Sequence, residues 1–350
     1  MLNTSLSPFH DPLDETRAQP VDHESLSLVA GKIAVLVPCR NEEASIAQVV
    51  HEFRHHLPAA TVYVYDNASS DETAQVARDA GAQVFVEPLV GKGNVVRRMF
   101  ADIEADIYLM VDGDGTYDAS SAPRLIHYLV TNGLDMVNCA RVPSDSAAYR
   151  PGHRFGNQVL TGLVARVFGN RLSDMLSGYR ALSRRFVKSF PALSTGFEIE
   201  TELTVHALEL RAPVGELSAP YVSRARGSAS KLHTVRDGLR ILRLIVHLVK
   251  EERPFQFFTT GFFALAASSI ALGIPVVTQY FATGMVGRLP TAVLATGLMI
   301  LAFLSLMCGL ILDTVTRGRR ELKRLLYLAA GREEKARESR SAELRRRNTP

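Results

Sequence analysis

The sequence predicts an α/β protein whose mostly parallel sheet is followed by an amphipathic helix and two transmembrane helices. Short apolar runs alternate with helical patterns between residues 32 and 140, which is typical of a parallel sheet covered on both faces. Residues 235–250 place basic side chains beside an apolar stripe at helical spacing, as in a helix at a membrane interface or in a core. The uncharged stretches 255–287 and 289–312 each exceed the roughly 20 residues that cross a bilayer.

The elements of the sheet follow in chain order. Buried apolar runs predict strands at 32–37, 61–65, 83–86, 108–111, 135–140 and 213–223. The first helix is expected after Asn41, its N-cap, and runs to about residue 57. Further helices are expected at 72–80, from the residues after 91–93 to about 103, at 122–130 and at 149–169. One more follows a loop at 174–180, and another begins at 196. Because parallel strands end at one edge, ligands are expected beyond their carboxyl ends.

The composition limits the classes of function. The chain has 350 residues, a formal net charge of +4 and no Trp, so a base-stacking surface for nucleic acid is not expected. The three cysteines are far apart, and they form neither a zinc-binding spacing nor a disulfide framework. Residues 1–28 are polar and lack the apolar segment of a secretory signal, which predicts a disordered tail.

Two carboxylates follow the fourth strand at a spacing of one residue. Asp112 and Asp114 are separated by Gly113, and both side chains can point to the same side of a strand end. Hard oxygen ligands of this kind suit a divalent cation that bridges to a diphosphate. An ordinary Asp/Gly turn is the alternative interpretation of these three residues alone.

Further polar residues end the neighbouring strands, and a basic loop follows the last one. The strand ends carry Arg40, Asp66, Lys92 and Arg141. The loop 224–231 is rich in Arg, Ser and Lys, which suits phosphate through charge-assisted hydrogen bonds, although a solvated surface loop fits as well. A metal site, a phosphate loop and a membrane hairpin together predict sugar transfer from a nucleotide diphosphate to a lipid phosphate.

Six motifs in order resemble family 2 glycosyltransferases of the dolichyl-phosphate mannose synthase type. They cover about residues 32–250, and the sequences are Val-Pro-Cys-Arg-Asn-Glu (37–42), Tyr-Asp-Asn-Ala-Ser-Ser-Asp-Glu-Thr (65–73), Gly-Lys-Gly (91–93), Asp-Gly-Asp (112–114), Ser-Gly-Tyr-Arg (177–180) and Arg-Gly-Ser-Ala-Ser-Lys-Leu (226–232). The two-helix tail is similar to that of polyprenyl-phosphate members. The resemblance implies a GT-A fold, an inverting transfer, a Mg²⁺ or Mn²⁺ cofactor, and an undecaprenyl or dolichyl phosphate acceptor. It also implies a membrane homo-oligomer, such as a tetramer.

The resemblance also assigns site residues. Those implied to bind the nucleotide sugar are Pro38, Arg40, Glu42, Asp66, Lys92, Asp112, Gly113, Asp114, Arg141 and Lys231. Those implied to bind the acceptor phosphate are Arg141, Arg154, Arg226 and Ser230. Asp114, Arg141 and Arg226 are the implied catalytic residues, and the metal set is Asp112, Asp114 and Thr116.

The chain departs from the family pattern in ways that bear on the donor. Arg40 stands where Tyr is common, Asn67-Ala68 replace a more acidic pair, and Thr116 falls where a Gln can complete the metal shell. The Tyr-Asp-Asn and Asp-Gly-Asp-Gly-Thr-Tyr variants look more like members that use UDP-sugars, which favours UDP-glucose or UDP-N-acetylglucosamine over GDP-mannose. An inactive membrane-tethered scaffold that binds nucleotide sugars is the non-enzymatic alternative.

Two other enzyme classes fit less well. A processive polysaccharide synthase would be expected to carry an acceptor motif that ends in Trp, and this chain has no Trp. A P-loop phosphotransferase is suggested only by residues 91–93, which lack the preceding glycine and the following Ser or Thr.

The distribution of Lys and Arg predicts the orientation in the membrane. Basic residues precede the first span and follow the second, whereas Arg288 alone lies in the loop between them. The positive-inside rule then places the large domain and both termini in the cytoplasm, at the inner cell membrane. The expected domains are a catalytic domain at 29–233, an amphipathic helix at 234–253, a transmembrane hairpin at 255–313 and a charged tail at 314–350.

Overall fold

The computed structural model describes residues 31–143, 162, 172–222, 250 and 253–347. The strands among them are β1 (Ile33–Cys39), β2 (Thr61–Asp66), β3 (Gln83–Val86), β4 (Ile107–Met110), β5 (Met136–Pro143), β6 (Arg180–Ser183) and β7 (Val214–Tyr221). The helices are α1 (Glu43–His56), α2 (Thr73–Asp79), α3 (Lys92–Asp102), α4 (Ala122–Thr131), α5 (Arg184–Ser189), α6 (Ile199–Leu210), α7 (Pro254–Thr283) and α8 (Leu289–Arg347).

The seven strands form one sheet in the order β3-β2-β1-β4-β6-β5-β7. All neighbouring pairs are parallel except β4–β6 and β6–β5, which are antiparallel. Every residue of β1 and β4 is buried, as expected for apolar runs with helices on both faces. The carboxyl ends of all strands except β6 therefore lie at one edge of the sheet, which is the edge where the sequence predicts the ligand site.

Strand β6 is a finding that the sequence pattern did not predict. The segment was expected to be a loop that leads directly to a helix, but Arg180–Ser183 pairs with both β4 and β5. The sequence pattern does not indicate a buried strand here because it begins with Arg180, and charged residues are rare at fully buried positions. Its guanidinium group is satisfied internally, since it donates to Ser177 O and Met175 O and to the Thr204 hydroxyl.

The predicted N-cap of α1 is wrong by one residue. Glu42 occupies the N-cap position, and its side chain makes no capping hydrogen bond. Asn41 instead adopts a left-handed backbone with φ of 51°, and its side-chain oxygen accepts the N–H of Ser70 at 2.8 Å. Asn41 tolerates this conformation better than most residues, and it ties the end of β1 to the loop after β2.

The chain divides into two compact units, one of residues 1–238 with 323–350 and one of residues 239–322. In the second unit, α7 and α8 contact each other through small residues. The Ser269 hydroxyl donates to Ala295 O at 2.7 Å, the Ser305 hydroxyl donates to Phe258 O at 3.0 Å, and Gly309 lies against Phe258. Small residues allow this close approach of two apolar helices.

Both helices are long and apolar enough to cross a membrane. The segments are Pro254–Thr283 and Leu289–Glu333. Only 11% and 17% of their most apolar parts are buried within the protein, unlike the core helix of a soluble domain.

Helix α8 continues without a break through the segment that was expected to be a separate charged tail. Its later part belongs to the first unit, where Lys323 pairs with Glu209 at 2.7 Å. The Tyr327 hydroxyl donates to Asp135 Oδ2 at 2.6 Å, and the Arg185 guanidinium group lies over the Tyr327 ring. The tail prediction missed this packing because its polar partners come from three distant parts of the chain.

Candidate active site

The turn after β4 holds Asp114 in a fixed position. Asp114 is buried, and its Oδ1 accepts hydrogen bonds from the backbone N–H of Thr116 at 3.2 Å and from the Thr116 hydroxyl at 2.6 Å. Gly113 is required beside it, because a Cβ there would overlap Cys39 Sγ and lie 2.7 Å from Glu42 Oε2. Thr116 therefore orients the carboxylate, and its direct binding of a metal stays a prediction.

Asp112 is paired with a buried lysine. The Lys92 ammonium group, at the first residue of α3, contacts Asp112 Oδ1 and lies 2.5 Å from Glu200 Oε1. Burial alone would lower the pKa of Lys92, but the attraction of Asp112 and Glu200 raises it above its ordinary value. Burial also raises the pKa of Glu200, although Lys92 opposes that shift. Lys92 is thus a fixed positive charge at the carboxyl edge.

The backbone of Ser194–Thr195 packs directly on the Gly-Lys-Gly motif. The N–H of Gly93 donates to Thr195 O at 3.1 Å, and a Cβ at Gly93 would overlap Ser194 O. The motif therefore needs glycine on both sides of Lys92, since a Cβ at Gly91 would overlap Thr195 O. This contact brings Glu200 to the site, although only Glu198 and Glu202 stood out in the sequence by their helical spacing.

Asp66 ends β2 as a buried carboxylate. Its Oδ2 accepts the N–H of Ser69 at 3.2 Å, whereas Oδ1 has no hydrogen-bond partner among the residues that the structure describes. Next to it, Asn67 donates to Glu87 O and Leu89 O and accepts the N–H of Gly91 at 2.6 Å. The Asn that departs from the family pattern thus orders the loop before α3, and Asp66 keeps an acceptor for a ligand.

The end of β1 supplies the other wall of the predicted nucleotide site. Pro38 is paired in register with Tyr65 of β2, and Arg40 is exposed. The N–H of Glu42 donates to the Thr73 hydroxyl at 2.8 Å, which places its carboxylate beside the Asp112–Asp114 turn. The structure brings these three residues to the same edge of the sheet as the aspartates.

Arg141 lies at the carboxyl end of β5, where a loop residue holds it. Its Nε and Nη2 atoms donate to the two oxygens of Asp174 at 2.6 and 2.8 Å. The same loop approaches the aspartate turn, since the N–H of Gly178 donates to the Tyr117 hydroxyl at 2.9 Å and a Cβ at Gly178 would lie 2.5 Å from Asp112 Oδ2. Asp174 was not a predicted site residue, and its place next to the Ser-Gly-Tyr-Arg motif was the only available signal.

The remaining predicted site residues lie outside the described residues. These are Arg154, Arg226, Ser230 and Lys231. The tail 1–28 and the helices expected at 149–169 and 235–250 also lie outside the described residues, except for the single residues 162 and 250.

Asp112 and Asp114 carry the hard oxygen ligands that a divalent cation prefers, so the predicted metal site stays at the aspartate turn. A Cβ at position 178 would lie 2.5 Å from Asp112 Oδ2, so the glycine there leaves space beside this oxygen. The described residues contain no group of three or more His, Cys, Asp or Glu side chains that could hold a metal. Since Mg²⁺ usually combines one or two carboxylates with substrate phosphates, a diphosphate would complete its coordination here.

A mostly parallel sheet with a carboxylate turn and basic side chains at its carboxyl edge is typical of the GT-A class of fold. Residues 34–190 match the family model described as glycosyl transferase family 2. The glycosyltransferase AglJ of Haloferax volcanii is 33% identical over 300 residues, which cover 84% of this chain and 97% of AglJ. The chain belongs to the family 2 glycosyltransferases.

Two further proteins are similar over about two thirds of the chain. The dolichyl-phosphate hexose transferase of Haloferax volcanii is 26% identical over 222 residues, which cover 63% of this chain and 95% of that protein. The crystal structure of glucosyl-3-phosphoglycerate synthase from Mycobacterium tuberculosis superposes with a TM-score of 0.54 at 21% identity, over 69% of this chain and 86% of that chain. The structural likeness shows the shared fold.

Proposed function

We propose that this enzyme transfers a sugar from a UDP-sugar, such as UDP-glucose or UDP-N-acetylglucosamine, to a membrane polyprenyl phosphate with inversion at the anomeric carbon. The observation that carries the proposal is the Asp112–Asp114 turn with Lys92 and Arg141 at the same sheet edge, in a chain that also contains two apolar spans. The product is a polyprenyl-phosphate sugar for glycan assembly.

The proposed nucleotide-sugar donor is argued from residues at the carboxyl ends of β1, β2 and β4. Asp66 offers a buried acceptor to an N–H or hydroxyl of the nucleoside, and Glu42 lies beside the aspartate turn. The glucosyl-3-phosphoglycerate synthase of similar fold has been crystallised with Mn²⁺ and UDP and with UDP-glucose. These complexes support a uridine nucleotide in a fold of this type.

The chemistry follows from the charges at the site. Asp112 and Asp114 would hold Mg²⁺ or Mn²⁺, which would neutralise the charge that develops on the leaving diphosphate. Lys92 adds a fixed positive charge on the same side. Arg141, at the carboxyl end of β5, directs the acceptor phosphate towards the anomeric carbon. A phosphate monoester is already partly dianionic at neutral pH, so the attack needs no general base.

The acceptor half rests on the two spans and on the relatives. A lipid phosphate reaches the site only at a membrane surface, and the dolichyl-phosphate hexose transferase is a relative whose name states such an acceptor. Basic residues lie on one side of the uncharged stretches 255–287 and 289–312: Lys250 and Arg253 precede the first, and Arg317, Arg319, Arg320, Lys323 and Arg324 follow the second. This asymmetry supports a cytoplasmic catalytic domain.

The test is a transfer assay on the full-length protein in detergent. Radiolabelled UDP-sugars and GDP-mannose are supplied with Mn²⁺ and undecaprenyl or dolichyl phosphate, and with 3-phosphoglycerate in a parallel reaction. We expect lipid-extractable label from one UDP-sugar, lost with EDTA and reduced at least roughly 100-fold in Asp114→Asn. The control is Asp79→Asn, a carboxylate exposed on α2, which should retain wild-type transfer.

Each other result points to a named alternative. Label from GDP-mannose alone would identify a polyprenyl-phosphate mannose synthase. Label in the water-soluble acceptor alone would overturn the lipid acceptor. Binding of UDP without any transfer would support the inactive scaffold.

A further inference from the structure

One carboxylate holds Arg141 through two parallel hydrogen bonds. Its Nε and Nη2 atoms donate to Asp174 Oδ2 and Oδ1 at 2.6 and 2.8 Å, and its backbone N–H donates to Oδ2 at 3.3 Å. The guanidinium group also lies over the Tyr221 ring, 5.4 Å from the ring centre. A bidentate pair and an aromatic face together restrict the rotation of this long side chain.

The backbone at Asp174 is in turn held by a second acidic residue, Glu216. Glu216 of β7 accepts the N–H of Ser173 at 2.8 Å and the N–H of Asp174 at 3.4 Å. Its Oε1 also accepts a hydrogen from the Asn138 side chain, which donates a second one to Asp174 O at 2.8 Å. Asp174 is only 4% exposed, so the carboxylate cannot move without breaking contacts to β5 and β7.

This arrangement is unfavourable if Arg141 serves only to attract anions. A buried carboxylate cancels part of the positive charge that a phosphate would meet. It also fixes the direction of the guanidinium group, so binding a phosphate costs less side-chain entropy and the phosphate arrives in one orientation. The Asp174 contacts therefore fix the orientation of the Arg141 guanidinium group at the expense of part of its positive charge.

We propose that Asp174 is a positioning residue that orients Arg141 towards the acceptor phosphate. The inference rests on the proposed function, and it assigns a role to a loop residue that does not itself contact substrate. Without Asp174, Arg141 keeps its charge and loses its direction, and a misplacement of about 1 Å can reduce transfer roughly 100-fold.

The experiment is a double-mutant cycle on the full-length enzyme with polyprenyl phosphate as acceptor. The variants are Asp174→Ala, Arg141→Ala and the double variant, with Asp174→Asn as a variant of nearly wild-type shape. For each, kcat and the acceptor KM are measured, and the Kd for UDP with Mn²⁺ is measured separately. The control is Asp135→Asn, because Asp135 makes a similar buried pair with Arg185 at 2.5 Å, beyond the opposite ends of the strands.

We expect each single variant to lower kcat/KM for the acceptor roughly 100-fold and the double variant to be no worse than Arg141→Ala, since Asp174 acts through Arg141. The Kd for UDP should stay within about twofold of the wild type, and Asp135→Asn should lower Tm without raising the acceptor KM.

Three results would overturn the inference while the proposed function stands: effects that multiply in the double variant, a weakened UDP Kd in Asp174→Asn, or an unchanged acceptor kcat/KM in that variant. If Asp174→Ala fails to fold, Asp174→Asn decides alone. A wild-type enzyme that transfers no sugar to lipid would instead refute the proposed function and the inference with it.

Discussion

Asp66 shows how a single residue can mark a ligand site. One of its oxygens is used by the loop after β2 and the other has no partner among the described residues, at a position that is 5% exposed. A buried acceptor without a donor is destabilising, and such a cost is commonly kept where a ligand supplies the donor. The carboxylate is therefore a stronger candidate than the exposed Arg40 for the nucleoside end of the proposed site.

The substitution Asp66→Asn tests this role. The amide keeps the contact to the Ser69 N–H but loses the negative charge and one acceptor position. We expect the Kd for UDP in the presence of Mn²⁺ to rise about tenfold, equivalent to about 1.4 kcal/mol of binding free energy. Isothermal titration calorimetry measures this, with Asp79→Asn as the exposed control. An unchanged Kd would show that Asp66 serves only the loop.

At the scale of elements, the site depends on how the segment before α6 packs against the start of α3. Gly91 and Gly93 let the carbonyl groups of Ser194 and Thr195 approach the helix N-terminus. This packing brings Glu200 to Lys92, and Lys92 to Asp112. Two elements about 100 residues apart in the chain thus build one charged cluster.

Gly93→Ala should separate these elements. Its Cβ would overlap a backbone carbonyl, which cannot move as a flexible side chain can. We expect a loss of about 1–3 kcal/mol in the free energy of unfolding and a weaker Kd for UDP, because Lys92 loses its support from Glu200. Thermal unfolding and calorimetry measure the two effects. Gly297→Ala is the matched control, since nothing lies near its added Cβ, and an equal response of both variants would contradict the packing argument.

At the scale of the whole molecule, the part of α8 from Lys323 onwards belongs to the first compact unit, which also contains the buried residue His206. His206 is 2% exposed and packs edge-on against the rings of Phe186 and Phe190, which stack on each other. Neither ring nitrogen has a hydrogen-bond partner among the described residues. Burial, with a smaller contribution from the charge of Lys323, lowers the pKa of His206 to about 3. The folded protein therefore keeps this side chain neutral.

This histidine makes the folding stability depend on pH. The unfolded chain takes up the proton near its ordinary pKa of 6.5, whereas the folded chain does so only near pH 3. Its contribution to stability is complete above pH 6.5 and falls by about 1.4 kcal/mol per pH unit as the pH drops towards 3.

The prediction is tested with His206→Met, which keeps an apolar side chain of similar size. We expect Tm of the wild type to fall more than Tm of the variant between pH 7 and pH 5, because the variant has no proton to take up on unfolding. His127→Gln, exposed on α4, should behave as the wild type. Parallel pH profiles for wild type and His206→Met would contradict the assignment.

Much of this protein could be predicted from local patterns in the sequence. The apolar runs predicted β1 to β5 and β7 and the parallel arrangement, because a strand buried on both faces is apolar throughout. The Asp112–Asp114 spacing, Lys92 and Arg141 were predicted at the sheet edge, and the uncharged stretches predicted the two membrane-length helices.

Only the tertiary structure decided which residues form hydrogen bonds and ion pairs with one another. Strand β6 was missed because Arg180 is buried through contacts to Ser177, Met175 and Thr204, which no local pattern reveals. Glu200 and Asp174 joined the site because carbonyl packing and a bidentate ion pair bring together residues that lie far apart in the chain. The sequence determines which segments must be buried and where charges end them, whereas the folded geometry determines which charges meet, because ion pairs and hydrogen bonds depend on distances of about 3 Å.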